Sequence, residues 1–195
     1  ELSTNERLVN ELTRFNLEIN LDPLEFAGNC FSAMEADLDR LMDYVRSLSG
    51  KLDVDVVMAG ILPTIHAWDL RLDNMAPKPR YFTLNDTIMS LKGGRAQYHI
   101  RGTDELFFQH DNIMVEGCNT SFQVHLQVTP DNFAHYYNLA QLVSGPVLAA
   151  SANSPILFGK RLWRETRIAL FQQAVDTRSS NLYLRDMSPR VHFGT

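Results

Sequence analysis

The sequence is poor in the features that mark several large protein classes. Its 195 residues include only two cysteines, Cys30 and Cys118, too few for a disulfide scaffold and not in a CxxC redox or zinc spacing. A reducing, cytoplasmic setting is the expectation. Basic residues are not in excess: 18 Lys and Arg stand against 23 Asp and Glu, giving a net charge of -5. No basic block offers a footprint for a nucleic-acid backbone. The longest weakly polar stretch, Leu139 to Ala152, is interrupted by Ser144, Gly145 and Pro146 and is too short to span a bilayer. There is no signal-peptide pattern, internal repeat or Gly/Ser-rich linker. Neither GxxxxGK[ST] nor GxGxxG occurs, so the familiar phosphate-binding loops are missing. Nucleic acid and membrane are therefore not expected partners, and oligomeric state is left open.

What is present describes an ordinary folded globule. Hydrophobic residues make up 45% and charged residues 21%, enough for one domain with a sizeable core. Ser3 or Thr4 is expected to cap a short helix through about Arg14, with Leu8, Val9 and Leu12 on one side. Phe15 to Leu21 alternates: Phe15, Leu17, Ile19 and Leu21 point one way and Asn16, Glu18 and Asn20 the other, the pattern of a half-buried strand. Phe31 to Leu48 has the spacing of an amphipathic helix through Met34, Leu38, Leu41, Met42 and Val45, with Gly50 as its stop. Val54 to Ala59 reads as a short buried strand, and 60–79 as mostly loop.

Arg80 to Leu91 reads as a helix with Tyr81, Leu84, Ile88 and Leu91 on one face, ended by Gly93-Gly94. A hairpin is expected around Gly102-Thr103-Asp104. Asn119 to Thr129 is the most regular strand pattern, with Phe122, Val124, Leu126 and Val128 opposite Ser121, Gln123, His125 and Gln127. Pro130-Asp131 opens a long helix to about Ala150, with a kink at Gly145-Pro146. Asn153-Ser154-Pro155 reads as a turn, and Trp163 to Phe171 as a returning strand or a last helix, with the strand preferred. The sum is an α+β fold, an antiparallel sheet with helices on one face.

On such a sheet Asn16, Glu18 and Asn20 would share an open face with Gln123, His125 and Gln127. A carboxylate, an imidazole and several amides on a rigid surface suit a hard metal or a polar substrate; the alternative is a face that is simply solvated. His66, His99, His110 and His135 occur singly and read as surface or satisfied core groups, and Cys118 as a small core residue. The basic cluster Lys160, Arg161, Arg164 and Arg167 contains groups suited to two-pronged contact with phosphate or carboxylate, or to solvent. In a strand, Arg161, Trp163, Glu165 and Arg167 would share a face.

Six short motifs occur in an order that resembles glutamate–cysteine ligase family 2. They are the run from Phe15 to Pro23, Gly60-Ile61-Leu62-Pro63-Thr64, Arg80-Tyr81, the run from Asn119 to Val128, Ala152-Asn153-Ser154-Pro155, and Thr166-Arg167. The likeness runs from about Phe15 to Arg178. It implies an open antiparallel funnel related to the glutamine synthetase catalytic fold. It also implies ATP-dependent ligation, in which the γ-carboxylate of glutamate is phosphorylated and an amine such as cysteine attacks the acyl phosphate.

Position by position, the resemblance makes Glu18 a Mg²⁺ ligand, with His125 a second metal-facing and catalytic candidate. Gln123, Asn153 and Ser154 fall at the nucleotide pocket, Arg167 contacts phosphate, and Arg80 with Tyr81 places the amino-acid substrate. ATP and Mg²⁺ are the implied cofactors. Bacterial members usually read His-Val-His where this chain has Gln123-Val124-His125, as in the plant-type ligases. The family's Glu-rich first strand is expected upstream of Glu1, and the strand-like run Arg190 to Thr195 is expected to continue. Residues 1–195 thus read as one domain, a truncated portion of a larger catalytic domain. A rival reading keeps the same sheet as a non-catalytic module that binds an amino acid or nucleotide; a third treats it as purely structural.

Overall fold

The computed structural model describes residues 5–176; the run Arg190 to Thr195, Arg178 and the caps Ser3 and Thr4 lie outside them. Secondary structure is mixed, with helices and small antiparallel sheets, consistent with an α+β fold. Among the described residues the strands form three separate two-stranded pairs rather than a single sheet. By compactness the chain divides into two units, 1–58 with 73–77, and 59–72 with 78–195.

In the first unit, β1 (Leu8–Asn10) pairs antiparallel with β2 (Leu17–Ile19), placing Leu8 opposite Ile19 and Val9 opposite Glu18. The helix expected through Arg14 is thus a strand followed by a turn. Three apolar residues within five positions cannot distinguish the two periods, and pairing with β2 decides. The alternation expected from Phe15 to Leu21 yields a strand only at its centre. α1 (Cys30–Ser49) is the helix its spacing predicts, burying Leu41, Met42, Val45 and Leu48. Its Asp37 takes an ion pair from Arg7, which also donates to the Asn20 carbonyl at 3.0 Å, fastening the hairpin to the helix. That guanidinium holds the Asp37 carboxyl below its ordinary range. Gly50 caps α1 in a right-handed conformation, and it is Asp53 that turns left-handed (φ 55°).

The expected strand at Val54 to Ala59 does not form: Val54, Val57 and Met58 are exposed and no strand pairs with them among the described residues.

The second unit is built on the hairpin of β3 (Ala96–Arg101) and β4 (Glu105–His110), in the register expected around residues 102–104. Ala96, Tyr98 and Ile100 alternate inward, and Tyr98 stacks on its cross-strand partner Phe108 at 4.7 Å. α2 (Pro79–Leu91) ends in a Schellman turn, with Gly94 N–H on the Met89 carbonyl at 2.8 Å and Gly93 N–H on that of Ser90. Both glycines adopt positive φ, which supplies the left-handed stop the sequence suggested. Its buried face is Tyr81, Asn85 and Met89, not Leu84 and Leu91, which are exposed. The polar Asn85 points inward because its Oδ1 accepts the Ile113 N–H at 3.1 Å, satisfying a buried donor of the 3₁₀ turn Ile113–Cys118. Cys118 is a buried free thiol, as expected, and burial pushes its pKa up to about 12.

Residues 119–129 form no ladder, and Phe122, Val124 and Leu126 are exposed. Period-2 alternation specifies a strand only where a partner strand receives its backbone groups, and no described segment pairs with this run as a ladder. Trp163 to Phe171 does not return as a strand: α4 (Thr166–Val175) is a helix burying Thr166, Ala169, Leu170 and Ala174 at helical spacing. α4 packs against β3, where the Gln173 amide exchanges two hydrogen bonds with the backbone of His99. Between these lie α3 (Phe133–Ser151), which runs as one element across Gly145 and Pro146 with no buried residue, and the hairpin of β5 (Ile156–Leu157) and β6 (Lys160–Arg161). That hairpin turns on Phe158 and Gly159, both at positive φ, and is absent from the sequence reading.

Replacing Asn85 by Ala would leave the Ile113 N–H buried without an acceptor. A loss of about 1–3 kcal/mol is expected, read as a lowered urea midpoint in chemical denaturation; an unchanged midpoint would show that the bond contributes nothing.

Candidate functional site

Four of the sequence motifs converge within the second unit. The chain after α3 runs through Asn153 and Ser154, and Ser154 forms a parallel bridge with Glu165. Ser154 N–H donates to the Arg164 carbonyl at 3.1 Å, and Thr166 N–H to the Ser154 carbonyl at 3.2 Å. This bridge sets Glu165 at the start of α4 and Arg167 in its first turn.

The Glu165 carboxylate is the centre. Its Oε1 accepts from Asn153 N–H and from Arg167 Nη2, both at 2.8 Å; its Oε2 accepts from Arg167 Nε at 2.8 Å and from Ser154 Oγ at 3.3 Å. The side chain is 8% exposed and that of Arg167 19%, so the pair is largely withdrawn from water. Burial pushes the Glu165 carboxyl up, but the Arg167 hydrogen bonds, the Asn153 N–H, the Arg167 charge and the Ser154 hydroxyl outweigh it. The net shift is downward from the ordinary value of 4.5.

Arg167 Nη1 donates to the Thr120 carbonyl at 2.6 Å. Thr120 N–H donates in turn to the Gly60 carbonyl at 3.0 Å, its hydroxyl donates to the Ala59 carbonyl, and Gly60 N–H donates to Asn153 Oδ1 at 2.9 Å. Gly60 is required by close approach: a Cβ there would lie 2.8 Å from Arg167 Nε and closer still to Asn153 Oδ1. The result is a ring of Gly60, Thr120, Asn153, Ser154, Glu165 and Arg167. Arginine carries five N–H donors; among the described residues these bonds use three of them, and no described residue takes the other two, one on each Nη.

Of the residues singled out in the sequence, Asn153, Ser154 and Arg167 are therefore brought together. Arg161 does not share a face with Arg167: it sits on β6 and its guanidinium and N–H bind Asp104 at the β3–β4 turn. Arg80 and Tyr81 pair locally at the start of α2, the guanidinium donating to Tyr81 Oη at 2.7 Å and lying 4.6 Å from the ring centre. Gln123 donates to Ser121 Oγ at 3.2 Å, and it and His125 lie on the exposed stretch 119–129. Glu18 is half-buried on β2 in the first unit. The single polar sheet face expected for Glu18, Gln123 and His125 is not formed, because 119–129 is not a strand. Among the described residues no three of His, Cys, Asp and Glu group together. Glu165, Thr120 and Gly60 were not identified as site residues: strand spacing set Glu165 beside Arg167, but nothing in the pattern showed that the carboxylate is buried at a helix start.

These features define an α+β protein with a largely buried arginine–carboxylate centre, in which two guanidinium N–H groups take no partner among the described residues. The family model for glutamate-cysteine ligase family 2 matches residues 2–188, and the chain belongs to that family, whose chemistry is ligase-type. No curated protein and no solved structure matches it. No helix of the described residues is long and apolar enough to cross a membrane.

Two outcomes are expected. Arg167→Ala, which strands the Glu165 charge in a buried site, costs about 3–5 kcal/mol of stability in chemical denaturation; a loss below 1 kcal/mol would mean the pair is not coupled to the fold. Because the folded carboxyl of Glu165 is held low, its contribution is fully present above pH about 4.5 and is lost as the pH falls through the lower folded value. Glu165→Gln removes that part of the acid dependence, leaving the parts carried by Asp37, Asp104 and Glu105, which are also held low. An identical acid profile in the variant would exclude the assignment.

Proposed function

We propose that the chain is part of an ATP-dependent carboxylate–amine ligase of the glutamate–cysteine ligase type. The observation that carries this reading is the convergence of the Gly60, Thr120, Asn153-Ser154 and Arg167 motifs on one guanidinium with two unused donors, within a member of a ligase family. In the proposed reaction a γ-carboxylate oxygen of glutamate attacks the terminal phosphorus of ATP, and the bond to the bridging oxygen breaks to release ADP. The amine then attacks the acyl carbon of the γ-glutamyl phosphate, loses a proton, and expels phosphate. The unused N–H groups of Arg167 meet the phosphoryl oxygens as charge shifts between them, a contribution that is strongest in a site shielded from water.

Asn153 and Ser154 form the rim on the nucleotide side, with Gln123. His125 is the candidate either for taking the amine's proton or for binding the metal, two roles that one neutral imidazole does not fill at once. Arg80 and Tyr81 receive the amino-acid substrate through a fixed cation and a phenol. Mg²⁺ accompanies ATP in this reading and would lower the charge of the phosphates; Glu18 and His125 are its candidate ligands, and the steps given to Arg167 do not run through the ion. The mixed α+β secondary structure supports a glutamine synthetase-like funnel as the parent fold, with 1–195 as one domain of it. The two free cysteines support a cytoplasmic setting.

One observation favours the rival, a non-catalytic amino-acid or nucleotide sensor on the same fold: Gln123, a weaker metal ligand, stands where bacterial members usually carry a histidine. The test separates the two. The full-length protein is expected to release ADP only when MgATP, glutamate and an amine acceptor are all present. Arg167→Lys, which keeps the charge but not the fork, is expected to lower kcat by about 100-fold. Ligand binding by calorimetry without ADP release under any acceptor would establish the sensor instead.

A further inference from the structure

We propose that Glu165 is a positioning residue that holds the Arg167 guanidinium in the plane and direction in which its two unused N–H groups meet a transferring phosphoryl group. This deepens the ligase reading and rests on it for the role of Arg167.

An ion pair that clasps a fold joins segments far apart in the chain, but Glu165 and Arg167 are two residues apart. The long-range connections of the site are made by other bonds: Asn153 N–H to Glu165, Gly60 N–H to Asn153 Oδ1, and Arg167 Nη1 to the Thr120 carbonyl. The Glu165–Arg167 pair brings no distant segments together, although leaving its buried carboxylate unpaired would be costly. What it does fix is orientation. An arginine has a long, rotamer-rich side chain, and two parallel N–H···O bonds on the Nε edge remove the rotation of its planar group.

The carboxylate can impose that orientation because it is itself immobile. Both oxygens accept from the frame as well as from Arg167: Oε1 from a backbone N–H, Oε2 from a buried serine hydroxyl. With the side chain 8% exposed, water offers no competing partner. The frame bonds come from Asn153 and Ser154, so the motif read in the sequence as a pocket rim acts here on the arginine through Glu165. Reacting groups displaced by about 1 Å lose on the order of 100-fold in rate, so a freed guanidinium would be felt in kcat and not in the occupancy of the nucleotide site.

The experiment is steady-state ADP release by the full-length protein with MgATP, glutamate and an amine acceptor, for Glu165→Gln, Arg167→Lys and the double variant. The amide keeps the shape of the carboxylate but sets an N–H against one of the arginine's own. Glu165→Gln is expected to lower kcat by about 10- to 100-fold with the KM for MgATP nearly unchanged, and the double variant to be no slower than Arg167→Lys alone. In parallel the Arg167 Nε–H resonance, expected to exchange slowly in the parent protein, should be lost in Glu165→Gln.

Unchanged kcat in Glu165→Gln beside a slow Arg167→Lys would overturn the positioning role while leaving Arg167 its function. Multiplying losses in the double variant would also overturn it, because Glu165 would then act independently. Unchanged kcat in Arg167→Lys, or no turnover at all, would remove the ligase role of Arg167 and this inference with it. Should circular dichroism show Glu165→Gln unfolded, Glu165→Asp, which keeps the charge but shortens the reach, is read against the same outcomes.

Discussion

The second unit depends on one carboxylate that cannot be left unpaired. Glu165 is buried at the head of α4, and its four hydrogen bonds decide where α4 begins, where the chain after α3 must pass, and which way Arg167 faces. A charge in that position costs several kcal/mol unless its partners are in place. The requirement is therefore structural first, and the availability of Arg167 donors follows from how it is met. Gly60 enters by the same logic, since only a residue without a side chain lets the backbone approach the guanidinium so closely.

Elements with internal periodicity were legible in the sequence. α1, α2, α3 and the β3–β4 hairpin follow from the spacing of Leu41, Met42 and Val45, from the Gly93-Gly94 stop, from Pro130 at a helix start, and from the polar turn at 102–104. Elements decided by a partner were not. Leu8 to Asn10 becomes a strand because β2 lies beside it, whereas 119–129, which alternates more regularly, pairs with no described strand and forms none. The face of α2 was misjudged by one position because Asn85, a polar residue, is buried to satisfy the Ile113 N–H. Patterns of hydropathy do not contain that demand.

The site was legible in pieces. Asn153, Ser154 and Arg167 could be picked out by residue type and motif order, and the fold unites them. Glu165 could not, because its importance comes from the Asn153 N–H and the Ser154 hydroxyl that face it, neither of which has a signature in sequence. The strand preference for 163–171 hid it further, since it placed Glu165 and Arg167 as neighbours on a flat face and not at the cap and first turn of a helix.

The ring also says something about chain length. Its pieces are 93 residues apart between Gly60 and Asn153 and 47 apart between Thr120 and Arg167. The entropy of closing such spans grows only logarithmically, about 0.6 kcal/mol for each doubling of a flexible loop. Residues added to exposed stretches between the pieces therefore cost the site little, while a single methyl group added at Gly60 meets the guanidinium directly. A centre built this way is tolerant in its intervals and intolerant at its contacts. The order of a few short motifs, more than the distances between them, is what its physics keeps.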